Sequence, residues 1–149
     1  MILPELLADC YLNHQPWQEF YMPRQDAIGY FLKMIDRGNI ISICDEDNLL
    51  GYMEFWRLNY EQIGRLMCHA PFWTYEENTT DGNLCYVANI WIKPERRQGQ
   101  VFKAIEQIFF NINHSAEYYC GFANRKKTKP FKVFKKSDLK SALFTGAKV

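Results

Sequence analysis

Residues 90–110, IWIKPERRQGQVFKAIEQIFF, change period in mid-course. An apolar run rich in β-branched residues stops at Pro94, and a turn carries Arg96, Arg97 and Gly99. From Gln100 onward the apolar side chains return at helical spacing. A strand thus runs into a helix through a glycine-containing turn, which points to an α/β domain. The first backbone N–H groups of such a helix lack intrahelical partners and face outward at its positive end, where anions bind. Glycine permits close approach of a pyrophosphate, and two guanidinium forks add charge and donors. The plain alternative is an ordinary turn with solvated arginines. Two other phosphate sites are excluded by spacing, since neither G-x-G-x-x-G nor G-x-x-x-x-G-K-[ST] is present.

The flanking sequence supplies the remaining elements. PELLADCYLN (4–13) and RQDAIGYFLKMIDR (24–37) are amphipathic helices, the second ended by Gly38. NIISICD and LLGYMEFWRLN, separated by Glu46, Asp47 and Asn48, read as an antiparallel hairpin. YEQIGRLMCHAPFW holds a short helix ending before Pro71, and EENTTDGN is a loop. LCYVANIWI alternates as a half-buried strand, residues 100–113 form a helix, EYYCGFA a strand, and PFKVFKK a short helix capped by Thr128 with Pro130 in its first turn. A single helical crossover between the strand ending at Ile92 and the one beginning at Glu117 predicts a mixed sheet whose later pair is parallel.

With 149 residues, 48% of them hydrophobic and 16% aromatic, the chain has the size and the apolar content for one domain, residues 1–149, with a single core. No apolar run approaches the roughly 20 residues of a membrane helix, and MILPELLADC lacks the features of a signal peptide, so a soluble, cytoplasmic protein with no membrane partner is expected. Five scattered cysteines without a C-x-x-C pair argue against a disulfide framework and against a metal site. Charge is uneven: residues 125–149 hold nine Lys/Arg and one acid, leaving nine Lys/Arg and 16 acids before them. A basic block of this kind is either a solvated face or a docking surface for phosphate-bearing or acidic partners.

The segment Arg96-Arg97-Gln98-Gly99-Gln100-Val101 resembles the R/Q-x-x-G-x-G/A signature of the GNAT superfamily of N-acyltransferases, and IWIKPERRQGQVFKAI resembles that family's strand, proline, loop and helix. Val101 departs from the usual small residue, and the Pro94–Gly99 spacing is one residue short. The resemblance implies a mixed, mostly antiparallel sheet with a splayed parallel strand pair, flanked by helices. It implies an acyl group, most often acetyl, transferred from acetyl-CoA or another acyl-CoA to an amine on a small molecule or a protein lysine, by direct attack in a ternary complex. The backbone of Ile90, Trp91 and Ile92 would pair with pantetheine and residues 96–101 would hold the pyrophosphate. VFKKSDL (133–139) resembles the family's last helix, but Phe134 stands where many members carry a tyrosine acid, and Phe131 also lacks a hydroxyl. Of Tyr118 and Tyr119 on the preceding strand, alternation lets one point to any given side.

Glu54 and Asn89 are polar residues inside strands; an outward face accounts for either, and their functional reading is to bind or deprotonate the acceptor amine. His-Gln-Pro-Trp, 14–17, and IWIKP are similar to the segments around the catalytic histidine and aspartate of the RTX-toxin-activating lysine acyltransferases, with Ile90 at the aspartate position and Asn89 beside it; KKTKPFKV is similar to a later stretch. That resemblance implies acyl-carrier protein as donor and His14 as base or nucleophile, against a cap or loop histidine. The basic tail has three uses besides solvation: the adenosine 3′-phosphate, an acyl-carrier protein, or nucleic acid with Phe131 and Phe134 interleaved. A domain that keeps this fold as a non-catalytic binding or structural protein is the remaining reading.

Overall fold

Apolar spacing builds the first two elements. In α1 (Leu3–His14) Leu7 and Ala8 are fully buried and Pro4 sits in the first turn, where its missing N–H costs no hydrogen bond. In α2 (Arg24–Asp36) Ala27, Phe31 and Met34 recur on one face and are buried together. Gly38 ends α2 with φ 77°, and its N–H donates to the Ile35 carbonyl at 3.0 Å. This computed structural model describes residues 2–14, 22–59, 62, 82–96, 99–122 and 131–136.

After α2 the chain forms β1 (Ile40–Asp45), β2 (Asn48–Leu58) and β3 (Leu84–Ile92), a 3₁₀ turn (Pro94–Arg96), α3 (Gln100–Ile112), β4 (Tyr118–Phe122) and β5 (Phe131–Lys135). The strands make a five-stranded mixed sheet in the order β1-β2-β3-β4-β5. β1 pairs antiparallel with β2 (Ile40 opposite Glu54, Asp45 opposite Asn48), and β4 pairs antiparallel with β5. β3 and β4 run parallel, with Leu84, Cys85 and Tyr86 opposite Tyr118, Tyr119 and Cys120. The parallel register runs from Leu84 to Tyr86, while β3 itself continues to Ile92.

The residues fall into two compact units, 1–54 with 89–109 and 55–88 with 110–149. The core of the first gathers Leu7, Ala8, Phe31, Leu49, Tyr52 and Trp91. Phe31 is its hub: its ring meets Tyr11, Tyr30 and Tyr52 edge-on at centroid distances of 5.9, 5.3 and 6.0 Å. Burying one such side chain contributes about 1.5–3 kcal/mol. In the second unit Arg57 is buried, its guanidinium donating to the Gly82 carbonyl and, at 3.2 Å, to Ser115 Oγ. Tyr119, fully buried, donates its hydroxyl to the Asn113 carbonyl at 3.0 Å, while Tyr118 is half-buried. Alternation has made Tyr119 a packed aromatic.

Three expectations change. PFKVFKK is not a helix: Phe131–Lys135 is strand, with Phe134 opposite Tyr119. The FKVF alternation matches a pleated strand, and five residues form too few intrahelical bonds to offset nucleation, whereas β4 offers a full ladder. Phe134 therefore holds no last-helix position. Second, the hairpin turn is the two residues Glu46 and Asp47, with Asn48 already in β2. Third, Glu54 is not on an outward face but 3% exposed. The short helix expected before Pro71, Thr128 and most of the 76–83 loop lie outside the described residues. Cys10, Cys85 and Cys120 are buried free thiols, and Cys44 is an exposed one. Burial pushes the Cys10 thiol up to about 12. Among the described residues no helix is long and apolar enough to cross a membrane.

Candidate functional site

The seam between β3 and α3 opens onto a groove of about 460 Å³ lined by Glu95, Arg96, Gly99, Gln100 and Val101. The chain reaches it in three steps. The Lys93 N–H donates to the Leu50 carbonyl at 2.8 Å, which ties the end of β3 to β2. Pro94 then starts a 3₁₀ turn closed by Arg96 N–H to the Lys93 carbonyl at 2.8 Å, and Gly99 N–H reaches the Arg96 carbonyl at 3.2 Å. α3 begins at Gln100. Among the described residues, a Cβ placed on Gly99 would meet the Arg96 carbonyl oxygen alone, at an ordinary 3.6 Å, so no described side chain fills the space beside it.

Val101, the departure from the family signature, has a structural explanation. It turns inward and is 8% exposed. A Cβ on Gly51 in β2 would lie 3.0 Å from Val101 Cγ1, 2.8 Å from Ile92 Cδ1 and 3.1 Å from the Trp91 carbonyl oxygen. Gly51 thus makes the room that Val101 takes, and α3 can start close to β2 despite the larger side chain. Ile92 is buried on this same side, while Trp91, its neighbour in β3, joins the core under α1 and α2.

The electrostatics of the groove are mixed. Arg96 and Gly99 are exposed, and Arg97 and Gln98 lie outside the described residues. Glu95 lines the same groove, and a hydrogen bond from its own backbone N–H, with help from Lys93, holds its carboxyl below the usual range. Lys93 Nζ sits 3.5 Å from Glu95 Oε2. An anion in the groove would therefore meet one carboxylate as well as the arginine.

A second polar group lies on the face of the first unit that α1 and α2 cover. Tyr30 of α2 donates its hydroxyl to Glu54 Oε2, and Asn89 Nδ2 of β3 donates to Glu54 Oε1 at 3.1 Å. Tyr11 of α1 is close enough that the Glu54 charge, after burial, helps push its phenol up. Two sequence candidates, Glu54 and Asn89, are thus in direct contact. Further along the same face the exposed His14 ring stacks on Trp91, with centroids 5.4 Å apart and planes 20° from parallel. Residues 15–21, including Gln15, Pro16 and Trp17, lie outside the described residues, as do residues 123–130 and 137–149 of the basic tail.

Sequence reasoning did not single out Tyr30, Tyr11 or Gly51. Tyr30 lies between Ala27 and Met34 on the inner side of α2, so helical spacing marks it as inward, but no local pattern says that a strand carboxylate meets it.

No protein-family model matches the chain, and no curated protein matches it. Solved structures do. The loading GNATL domain of CurA from Lyngbya majuscula matches with a TM-score of 0.55 and 14% identity, over 80% of this chain and 60% of that one. A GphF GNAT-like decarboxylase in complex with isobutyryl-CoA matches with 0.58 and 13%, over 81% and 63%. Chaetomium thermophilum Naa20 in complex with a bisubstrate analogue matches with 0.52 and 16%, over 99% and 67%. The chain spans about three fifths of the length of the first two. At these identities the likeness is one of fold, and the fold is GNAT-like.

Proposed function

We propose that this chain, built on a GNAT-like fold, is an acyl-coenzyme-A-dependent N-acyltransferase that moves an acetyl or other acyl group to an amine by direct attack. The observation that carries the proposal is the open groove at the start of α3, where glycine and Arg96 stand beside a helix N-terminus and, among the described residues, no side chain fills the space beside Gly99. The likeness to a decarboxylase bound to isobutyryl-CoA supports the same donor.

Residues 96–101 would hold the diphosphate, through the guanidinium groups and the amides at the start of α3, and the backbone of Ile90, Trp91 and Ile92, past the end of the parallel ladder at Tyr86, would receive the pantetheine amides. Bound acyl-CoA supplies the activated acyl carbon and a thiolate leaving group. Glu54 and Asn89 act on the acceptor. Glu54 takes one proton from the ammonium form, the freed nitrogen lone pair bonds the acyl carbon as the carbon–sulfur bond breaks, and a second nitrogen proton ends on the thiolate. Much of the acceleration comes from holding the two reactants together.

The test is titration calorimetry with acetyl-CoA. The parent should bind, and the double change Arg96→Ala/Arg97→Ala should weaken binding about tenfold or more, from the loss of charged hydrogen bonds. Absence of binding by the parent removes coenzyme A from the account. Binding without acyl addition to any amine or protein lysine, followed by mass spectrometry, assigns the chain a non-catalytic binding role.

One observation favours a second reading. The stacking of His14 on Trp91 joins the two segments that resemble the toxin-activating lysine acyltransferases. On that reading acyl-carrier protein is the donor and His14 the base or nucleophile. Turnover unchanged by His14→Ala rules it out.

A further inference from the structure

The two edge strands of the sheet, β1 and β5, differ in composition. β5 carries Lys132 and Lys135, with Lys136 directly after it, and lysines on an edge discourage pairing with a further strand. β1 has no such protection. Its first five residues, Ile40, Ile41, Ser42, Ile43 and Cys44, include no charge, proline or glycine, and isoleucine favours a strand. β2 takes one side of β1, and among the described residues no strand and no backbone hydrogen bond takes the other. Alternate residues of such a strand direct their N–H and carbonyl groups away from β2. The one irregularity in the β1–β2 ladder is a register shift between Ile43 and Cys44, so residues 40–43 stay regular. Ser42 and Ile43 are half-buried, and Cys44 is exposed.

Charge is confined to the two ends of β1 and differs in sign between them. Asp45, Glu46 and Asp47, all exposed, stand at its exit. Lys33 and Arg37, exposed at the end of α2, stand before its entry with Asp36 between them, which leaves a net positive charge there whatever these groups pair with locally.

We propose that the outer edge of β1 pairs with β1 of a second copy of this chain, antiparallel about a two-fold axis near Ser42 and Ile43, so that the two sheets become one. Position 45 of each copy then lies opposite position 40 of the other, and the acidic exit of each strand meets the basic entry of its partner. Parallel pairing would set the acids of one copy beside those of the other, which is unfavourable. An uncharged foreign strand could satisfy the same backbone groups but would leave both charged ends unmatched. The two-fold contact closes, because it consumes both β1 edges at once. A contact one six-residue strand long is smaller than a standard interface, so the association is weak and grows with concentration. It does not depend on the acyltransfer reading.

Sedimentation equilibrium of the full chain gives its oligomeric state, and backbone amide exchange at low and high protein concentration locates the contact. The expected result is a monomer–dimer equilibrium in which outward amides of residues 40–44 exchange more slowly as the dimer fills. Arg37→Glu and the double change Asp45→Lys/Asp47→Lys should each weaken dimerisation about threefold or more at low salt. An equimolar mixture of the two variants should recover association, since opposite charges then meet at both ends. A chain that stays monomeric up to its solubility limit overturns the proposal, as does a dimer whose residues 40–44 exchange no more slowly than in the monomer. Species that grow beyond the dimer overturn the two-fold closure, and a dimer that neither charge variant weakens overturns the antiparallel arrangement. Should a charge variant not fold, the exchange of the parent decides alone. None of these outcomes depends on whether acetyl-CoA binds.

Discussion

Glu95 places a negative charge in the groove proposed for a diphosphate, and Lys93 at 3.5 Å screens only part of it. Removing the charge and keeping the shape should therefore help the ligand: Glu95→Gln is expected to tighten acetyl-CoA binding about two- to fivefold at low salt, as surface charge effects of this size allow, with the gain shrinking at high salt. Calorimetry at two salt concentrations checks it. Gly51 is a different kind of residue, one whose absent side chain is its contribution. Alanine there would relieve chain entropy by about 0.4–1 kcal/mol, but its Cβ would press on Ile92, Val101 and the Trp91 carbonyl, and overpacking of this sort costs about 1–3 kcal/mol. The second effect wins because one of the three obstacles is backbone. Gly51→Ala should lower the denaturation midpoint, and weaken acetyl-CoA binding through displaced Val101. Glu54 and Asn89 stand out in the sequence as polar residues in apolar strands, but their mutual contact and the approach of Tyr30 involve partners 35 and 24 residues away.

Local patterns marked the elements well where the period was long enough to read. α1, α2 and α3 carry two or three turns of apolar spacing each, and the structure places them within a residue or two of their expected bounds. β5 is the exception: FKVFK is too short to separate the two periods, Thr128 and Pro130 before it are helix-start signals, and the ladder that decides for a strand is supplied by β4. The β1–β2 hairpin shows a local rule broken in the chain itself. Its first turn residue, Glu46, has φ 54°, a position that favours glycine in a two-residue turn. Relief of left-handed strain, about 1–2 kcal/mol, exceeds the extra chain entropy of glycine, about 0.5–1 kcal/mol. Glu46→Gly is thus expected to stabilise the protein by about 0.5–1 kcal/mol in urea denaturation.

The two compact units share three continuous elements by residue number, since β2, β3 and α3 each contribute to both. We propose on this ground that residues 1–149 unfold as one domain. Far-ultraviolet circular dichroism and tyrosine–tryptophan fluorescence should give coincident thermal transitions, and acetyl-CoA at 100 times its Kd should add about 2.7 kcal/mol of stability to that single transition. Two separated transitions would reject the one-domain reading. The seam at residues 90–101, the amphipathic helices and the parallel crossover were readable in the chain because each depends on neighbours a few residues apart, where spacing translates directly into facing. The inward turn of Val101 against Gly51, the pairing of Phe131–Lys135 with β4, the burial of Glu54 beneath Tyr30 and the seating of His14 on Trp91 were settled by folding. Each depends on which distant surfaces meet, and the free energy that selects those meetings comes from burying apolar area between elements, which no local window contains.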